Sequence, residues 1–159
     1  MKIDKKIEMI LEILRKRGWY IGVMESCTGG AIANCITNIP GASDVFKEGK
    51  VTYSNEAKIN AGVDEKIIKN FGVYSKETAT EMARKIEGDI GVGVTGNLPG
   101  EVFVAVRIGK KIVSEKIKVK SKLKNKIEGR LRELRQAETR KEMKEQVVEK
   151  VVGMINSNF

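Results

Sequence analysis

From Ile3 to Arg17 the apolar side chains Ile3, Ile7, Ile10, Leu11 and Leu14 recur at intervals of three and four. That spacing predicts an amphipathic helix, with Gly18 as its C-cap. Trp19-Tyr20-Ile21-Gly22-Val23-Met24 is a short apolar run rich in strand formers and reads as a buried strand. Beyond a turn at Ser26, Gly30-Ala31-Ile32-Ala33-Asn34-Cys35-Ile36 reads as a helix, and Pro40-Gly41 punctuates a loop. Lys50-Val51-Thr52-Tyr53 predicts a second strand. It leads into a short helix at Asn55-Glu56-Ala57-Lys58, capped by Ser54 or Asn55.

Ser75-Lys76-Glu77-Thr78 predicts the start of a helix running from Thr78 to Ile86, with Ala79, Met82, Ala83 and Ile86 turned inward. Asp89 to Val94 predicts a strand that delivers Thr95-Gly96. Glu101 to Ile108 and Lys111 to Val119 alternate in polarity around Gly109-Lys110, the pattern of an antiparallel hairpin. A long charged helix follows from about Asn125, with Val147, Val148, Val151, Val152 and Ile155 on its apolar side. Helices alternate with strands and a hairpin then follows. The order predicts the α/β class, a mixed β-sheet flanked by helices on both faces in an α/β/α sandwich. No repeat or linker interrupts residues 1–159, which are expected to form one domain.

Composition sharpens this picture in three places. Net charge is +9, and from Arg107 to Lys150 there are roughly sixteen basic against seven acidic residues. A basic face attracts nucleic acid or small anions, but this stretch lacks interleaved aromatics, so a nucleic-acid partner is not expected. The Lys-rich 32% charged fraction fits equally the bias of proteins from hot environments and a genome with Lys-favouring codons. No apolar run approaches the roughly 20 residues that span a bilayer, and a charged start leads directly into a helix. A cytoplasmic protein without membrane contact is expected. Cys27 and Cys35 are separated by about 12 Å on one predicted helix, too far for a disulfide.

Chemistry concentrates at Glu25-Ser26-Cys27-Thr28-Gly29-Gly30. An apolar strand running into this turn exposes small polar groups at the carboxyl edge of the sheet, where open α/β sheets place ligands. Free N–H groups of the following helix favour an anion or a developing oxyanion there. Ser26 or Thr28 serving only as helix caps is the plainer alternative. The turn matches neither the phosphate-binding Gly-x4-Gly-Lys-Ser/Thr pattern nor the Gly-x-Ser-x-Gly elbow. The chain has 0 His. A Ser-His-Asp triad within it is therefore impossible, and a nucleophilic Ser26 needs a lysine, tyrosine or aspartate as its partner. With no His and two Cys, no zinc site of ordinary type is expected and no cofactor is called for. Cys27 reads as a packing residue.

Several motifs agree in order and spacing. They are Glu25-Ser26-Cys27-Thr28-Gly29-Gly30, Pro40-Gly41-Ala42-Ser43-Asp44-Val45-Phe46, Gly49 to Lys58, Gly62-Val63 and Val73 to Ala83. Together they resemble the CinA C-terminal domain family, known as competence/damage-inducible proteins and nicotinamide mononucleotide deamidases. The resemblance spans nearly the whole chain and is strongest from about Val23 to Gly96. It implies hydrolysis of the amide of nicotinamide mononucleotide to the nicotinic acid mononucleotide and ammonia. Carried onto this sequence, it makes Ser26 the nucleophile and Lys58 the general base. Tyr53 would assist proton transfer or hold the lysine, and Thr95 would line the pocket. Backbone N–H groups of Thr28, Gly29 and Gly30 would then hold the oxyanion or the phosphate. Arg132 and Arg135, three apart on one helix face, suit a phosphate, with Arg130 the alternative to the first.

One departure stands out. Family members usually carry a longer Gly- and Pro-rich loop after Thr-Gly, whereas here Thr95-Gly96-Asn97-Leu98-Pro99-Gly100 runs almost directly into a strand. A non-catalytic nucleotide-binding or interaction module is the alternative function this raises. The resemblance also implies a homo-oligomer, and the chain reads as the stand-alone form.

Overall fold

The computed structural model describes residues 1–121 and 130–159, apart from the side chains of 132–137. Strand β1 (Ile21–Glu25) is buried along its whole length. It is flanked in parallel by β2 (Phe46–Val51) and β3 (Ile90–Gly96). β4 (Gly100–Ile108) pairs antiparallel with β3, and β5 (Lys111–Val119) pairs antiparallel with β4. The five-stranded sheet has the order β2-β1-β3-β4-β5, the mixed α/β sheet expected from the pattern.

Side-chain alternation sends each strand's residues to two different layers. Val23, Val92, Val94, Val104 and Val106 face α1 (Ile3–Arg17), α2 (Ala31–Thr37) and α6 (Arg130–Ser157). There they meet Ile7, Leu11, Ile32, Val147 and Val151 in the larger core. On the other face Met24 meets Val63, Ile68, Met82 and Ile86, bringing in α4 (Glu65–Phe71) and α5 (Lys76–Lys85). Ala79 and Ala83 of α5 pack on Phe103 and Ala105.

The alternating glycines of β3 explain why α5 lies so close. A Cβ at Gly91 would stand 2.2 Å from the Ala83 carbonyl oxygen, and one at Gly93 would stand 2.1 Å from that of Ala79. Neither distance is possible for a real side chain, so the helix backbone rests directly on the strand. Arg107, opposite Gly91, ends α5 by donating to the carbonyls of Ala83 and Ile86, both at 3.0 Å.

Two details depart from the sequence pattern. β2 ends at Val51 rather than at Tyr53. α4, capped by the Asp64 side chain at the Lys66 amide, leaves no apolar periodicity in the sequence, because Ile68 is the one buried residue along it. β3 and β4 are joined by Asn97, Leu98 and Pro99 alone, and Arg140 of α6 donates to the Leu98 carbonyl at 2.6 Å. The first turns of the long helix expected from Asn125 lie outside the described residues. Among the described residues no helix is long and apolar enough to cross a membrane.

Candidate active site

β1 delivers Ser26 to the carboxyl edge of the sheet, between the parallel neighbours β2 and β3. Ser26 is 5% exposed, so its hydroxyl sits at the floor of this edge rather than on the surface. Just beyond β2, the Ser54 hydroxyl accepts from the Ala57 amide and starts α3 (Asn55–Asn60). One turn into this helix, Lys58 points back into the protein.

The lysine is 1% exposed. Its Nζ lies 3.1 Å from Ser26 Oγ and donates to the Thr52 carbonyl at 2.7 Å. No carboxylate pairs with it among the described residues. Burial pushes its pKa below the ordinary lysine value, because the charged form loses hydration that the two oxygens do not fully replace. A lysine of this kind exchanges a proton near neutrality more readily than a surface one. Cys27, next to the nucleophile candidate, is buried and its thiol is pushed up to about 11, chiefly by desolvation. It stays protonated and poorly nucleophilic at neutral pH. Cys27 and Cys35 are both free thiols.

Behind Ser26 stands a carboxylate. Glu25 is 1% exposed and turns away from Lys58 toward α2. Its oxygens accept from the Thr28 hydroxyl at 2.7 Å, the Ile32 amide at 2.9 Å and the Ala33 amide at 3.0 Å. The first-turn donors of α2 are thus used internally. The Gly29 amide bonds the Ser26 carbonyl at 2.9 Å, which leaves the amides of Thr28 and Gly30 without a partner among the described residues. Gly29 (φ 58) and Gly30 (φ 100) take left-handed conformations that give the turn its sharpness.

The structure therefore brings Ser26, Lys58, Thr28, Gly29 and Gly30 together. Thr28 is fully buried, with its hydroxyl committed to Glu25. Thr95 is also fully buried and ties the end of β3 to the Val73 carbonyl at 3.0 Å, so its hydroxyl braces a loop rather than facing open space. Tyr53 falls two residues past β2, is 66% exposed, and shares no hydrogen bond with Lys58 among the described residues. Arg132 and Arg135 belong to α6, but their side chains lie outside the described residues, and Arg130 is exposed. Sequence reasoning passed over Glu25 and Thr52, whose roles depend on backbone groups that no motif displays. It also passed over Lys144, whose Nζ stands 3.4 Å from where a Gly29 side chain would begin.

The sequence model of the CinA C-terminal domain matches residues 3–159. A CinA-like protein of Chloroherpeton thalassium is 53% identical over 94 residues, covering 56% of this chain and 22% of the relative. One from Kosmotoga olearia is 47% identical over 94 residues, 56% of this chain and 23% of the relative. The matched stretch is less than a quarter of the length of those relatives. Among solved structures, the competence/damage inducible protein CihA from Agrobacterium tumefaciens has a TM-score of 0.70 at 28% identity, covering 91% of this chain and 93% of that one. A competence or damage-inducible protein from Enterobacter asburiae shares the fold with a TM-score of 0.73 at 20% identity, covering 98% and 99%. With a family match from end to end and the same fold in its solved relatives, the chain belongs to the CinA C-terminal domain family.

Proposed function

We propose that this chain is a Ser/Lys amidohydrolase acting on nicotinamide mononucleotide, with Ser26 as nucleophile and Lys58 as general base. The observation that carries the reading is the 3.1 Å approach of Lys58 Nζ to Ser26 Oγ in a buried setting. A lysine kept for structure gains nothing from burial without a carboxylate, whereas a base gains a lowered pKa.

In this reading neutral Lys58 takes the Ser26 proton as Oγ attacks the amide carbon. The oxyanion is met by amides of the turn, where those of Thr28 and Gly30 have no partner among the described residues. Collapse breaks the carbon–nitrogen bond, and the ammonium form of Lys58 returns its proton to the departing ammonia. Water then attacks the acyl ester on Ser26 and gives a proton to Lys58. The acid leaves, and Lys58 reprotonates Ser26. Lys144, close over Gly29, adds positive charge on the side of an anionic substrate. Tyr53 is left exposed at the rim, where it meets substrate rather than Lys58.

The test is ammonia release from nicotinamide mononucleotide by the purified protein, with Ser26→Ala and Lys58→Ala as controls. Release that both substitutions cut by at least about a thousandfold supports the proposal. Binding of the mononucleotide by the folded protein without release would replace it with a binding role, to which the short β3–β4 turn is suited.

A further inference from the structure

We infer that Glu25 is the positioning residue of this site, its buried carboxylate holding the turn that carries Ser26 in register with Lys58. The inference rests on the Ser26–Lys58 reading. Four contacts close a ring. The Glu25 carbonyl accepts from the Thr52 amide at 2.7 Å. The Thr52 carbonyl accepts from Lys58 Nζ at 2.7 Å, and Lys58 Nζ lies 3.1 Å from Ser26 Oγ. Ser26 is covalently next to Glu25. A twist of Glu25 therefore moves the nucleophile and the anchor of the base in one motion.

What stops that twist is the side chain. A buried carboxylate is costly unless well donated. This one takes three donors, one within the turn (Thr28) and two beyond it in α2 (Ile32 and Ala33). Position Gly30, at the start of α2, could hold a serine or aspartate cap only at the cost of its left-handed backbone (φ 100). Glu25 instead reaches across seven residues to Ile32 and clamps β1, the turn and α2 as one body. It acts on geometry, not basicity. Its oxygens bond Thr28, Ile32 and Ala33, and among the described residues none of them bonds Lys58.

Glu25→Gln keeps the size and one acceptor but turns a carboxamide N–H₂ against an amide donor. The expected result is a kcat about a hundredfold lower, with KM within about threefold and the midpoint of the pH–rate profile unmoved. Phosphonylation of Ser26 by a small fluorophosphonate should slow in parallel. Thr28→Val, which removes one donor and leaves the charge, should show the same signature at about tenfold, and it decides the matter if Glu25→Gln does not fold. Wild-type kcat and labelling in a folded Glu25→Gln would overturn the inference. A moved midpoint would too, since it would make Glu25 an electrostatic partner of the base. If the wild-type protein releases no ammonia, the amidohydrolase reading falls and labelling alone decides: slowed labelling in the folded variant upholds Glu25, and equal labelling overturns it.

Discussion

Lys58 Nζ stands 2.7 Å from the carbonyl oxygen of Thr52, and that contact sets which side of the nitrogen faces Ser26. The carbonyl takes one N–H in either protonation state of the lysine. When the nitrogen is neutral, its lone pair is left for the Ser26 hydroxyl. Only that form acts as a base, so activity should rise with pH through the Lys58 pKa. Burial lowers this pKa, which puts the rising limb below the ordinary lysine value of 10.5. A pH profile of kcat/KM should climb about tenfold per unit and then level. Lys58→Arg, which cannot deprotonate, should abolish both limb and activity. A flat profile from mildly acidic to alkaline pH would rule out the lysine base.

The same lowered pKa has a thermodynamic consequence with a definite sign. In the unfolded chain Lys58 titrates as an ordinary lysine, whereas in the folded chain it releases its proton earlier. Between the two values the unfolded state binds more protons, so folding stability rises with pH across that window, and the full penalty applies below it. Lys58→Met should erase this slope. Below that window, where the folded lysine is charged, the variant is expected to match or exceed wild type by up to about 1 kcal/mol, because a buried charge is replaced by a side chain of similar volume. Urea unfolding at pH 7 and pH 10 reads both effects. A loss of several kcal/mol at pH 7 would mark Lys58 as a structural group.

Tyr53 separates the resemblance from the geometry. The resemblance has Tyr53 assist proton transfer or hold the lysine; here the ring is 66% exposed, and Lys58 donates to the Thr52 carbonyl. Tyr53→Phe should leave both the midpoint of the rate profile and stability unchanged. Its effect on kcat/KM should stay under about tenfold, far from that of Lys58→Ala. A shifted midpoint would show that the hydroxyl swings in to the lysine.

How far these features can be read in advance depends on where their partners lie. The apolar stripe of α1, the buried valines of α6 and the β4–β5 hairpin follow from local periodicity, and the structure has them. The absence of His could exclude a triad but could not choose among lysines. Only the family resemblance points to Lys58, and its burial is visible only once the structure brings its Nζ to Ser26 and to the Thr52 carbonyl. The strong β propensity of Val51-Thr52-Tyr53 predicts a strand through Tyr53. The real β2 is an edge strand whose Lys and Glu residues disguise it. Glu25 was illegible for another reason: two of its three side-chain donors are backbone amides, which every residue but proline possesses.

The glycine face of β3 offers a test of the fold that is independent of catalysis. At Gly93 an added Cβ would meet the Ala79 carbonyl at 2.1 Å and the Ala83 amide nitrogen at 2.7 Å, both of them backbone atoms of α5. The helix must lift to accommodate it, so Gly93→Ala should cost about 3 kcal/mol or more in denaturant unfolding. Lifting α5 also strains the Thr95 tie to Val73 at the edge of the site. Gly153 is the opposite case: it lies within α6, is exposed, and has nothing within 4 Å of the new methyl. There the alanine only restricts the unfolded chain and favours the helix, so Gly153→Ala should stabilise by about 0.5–1 kcal/mol. The same methyl group thus carries opposite signs at two glycines. Equal effects at both positions would contradict the direct seating of α5 on β3.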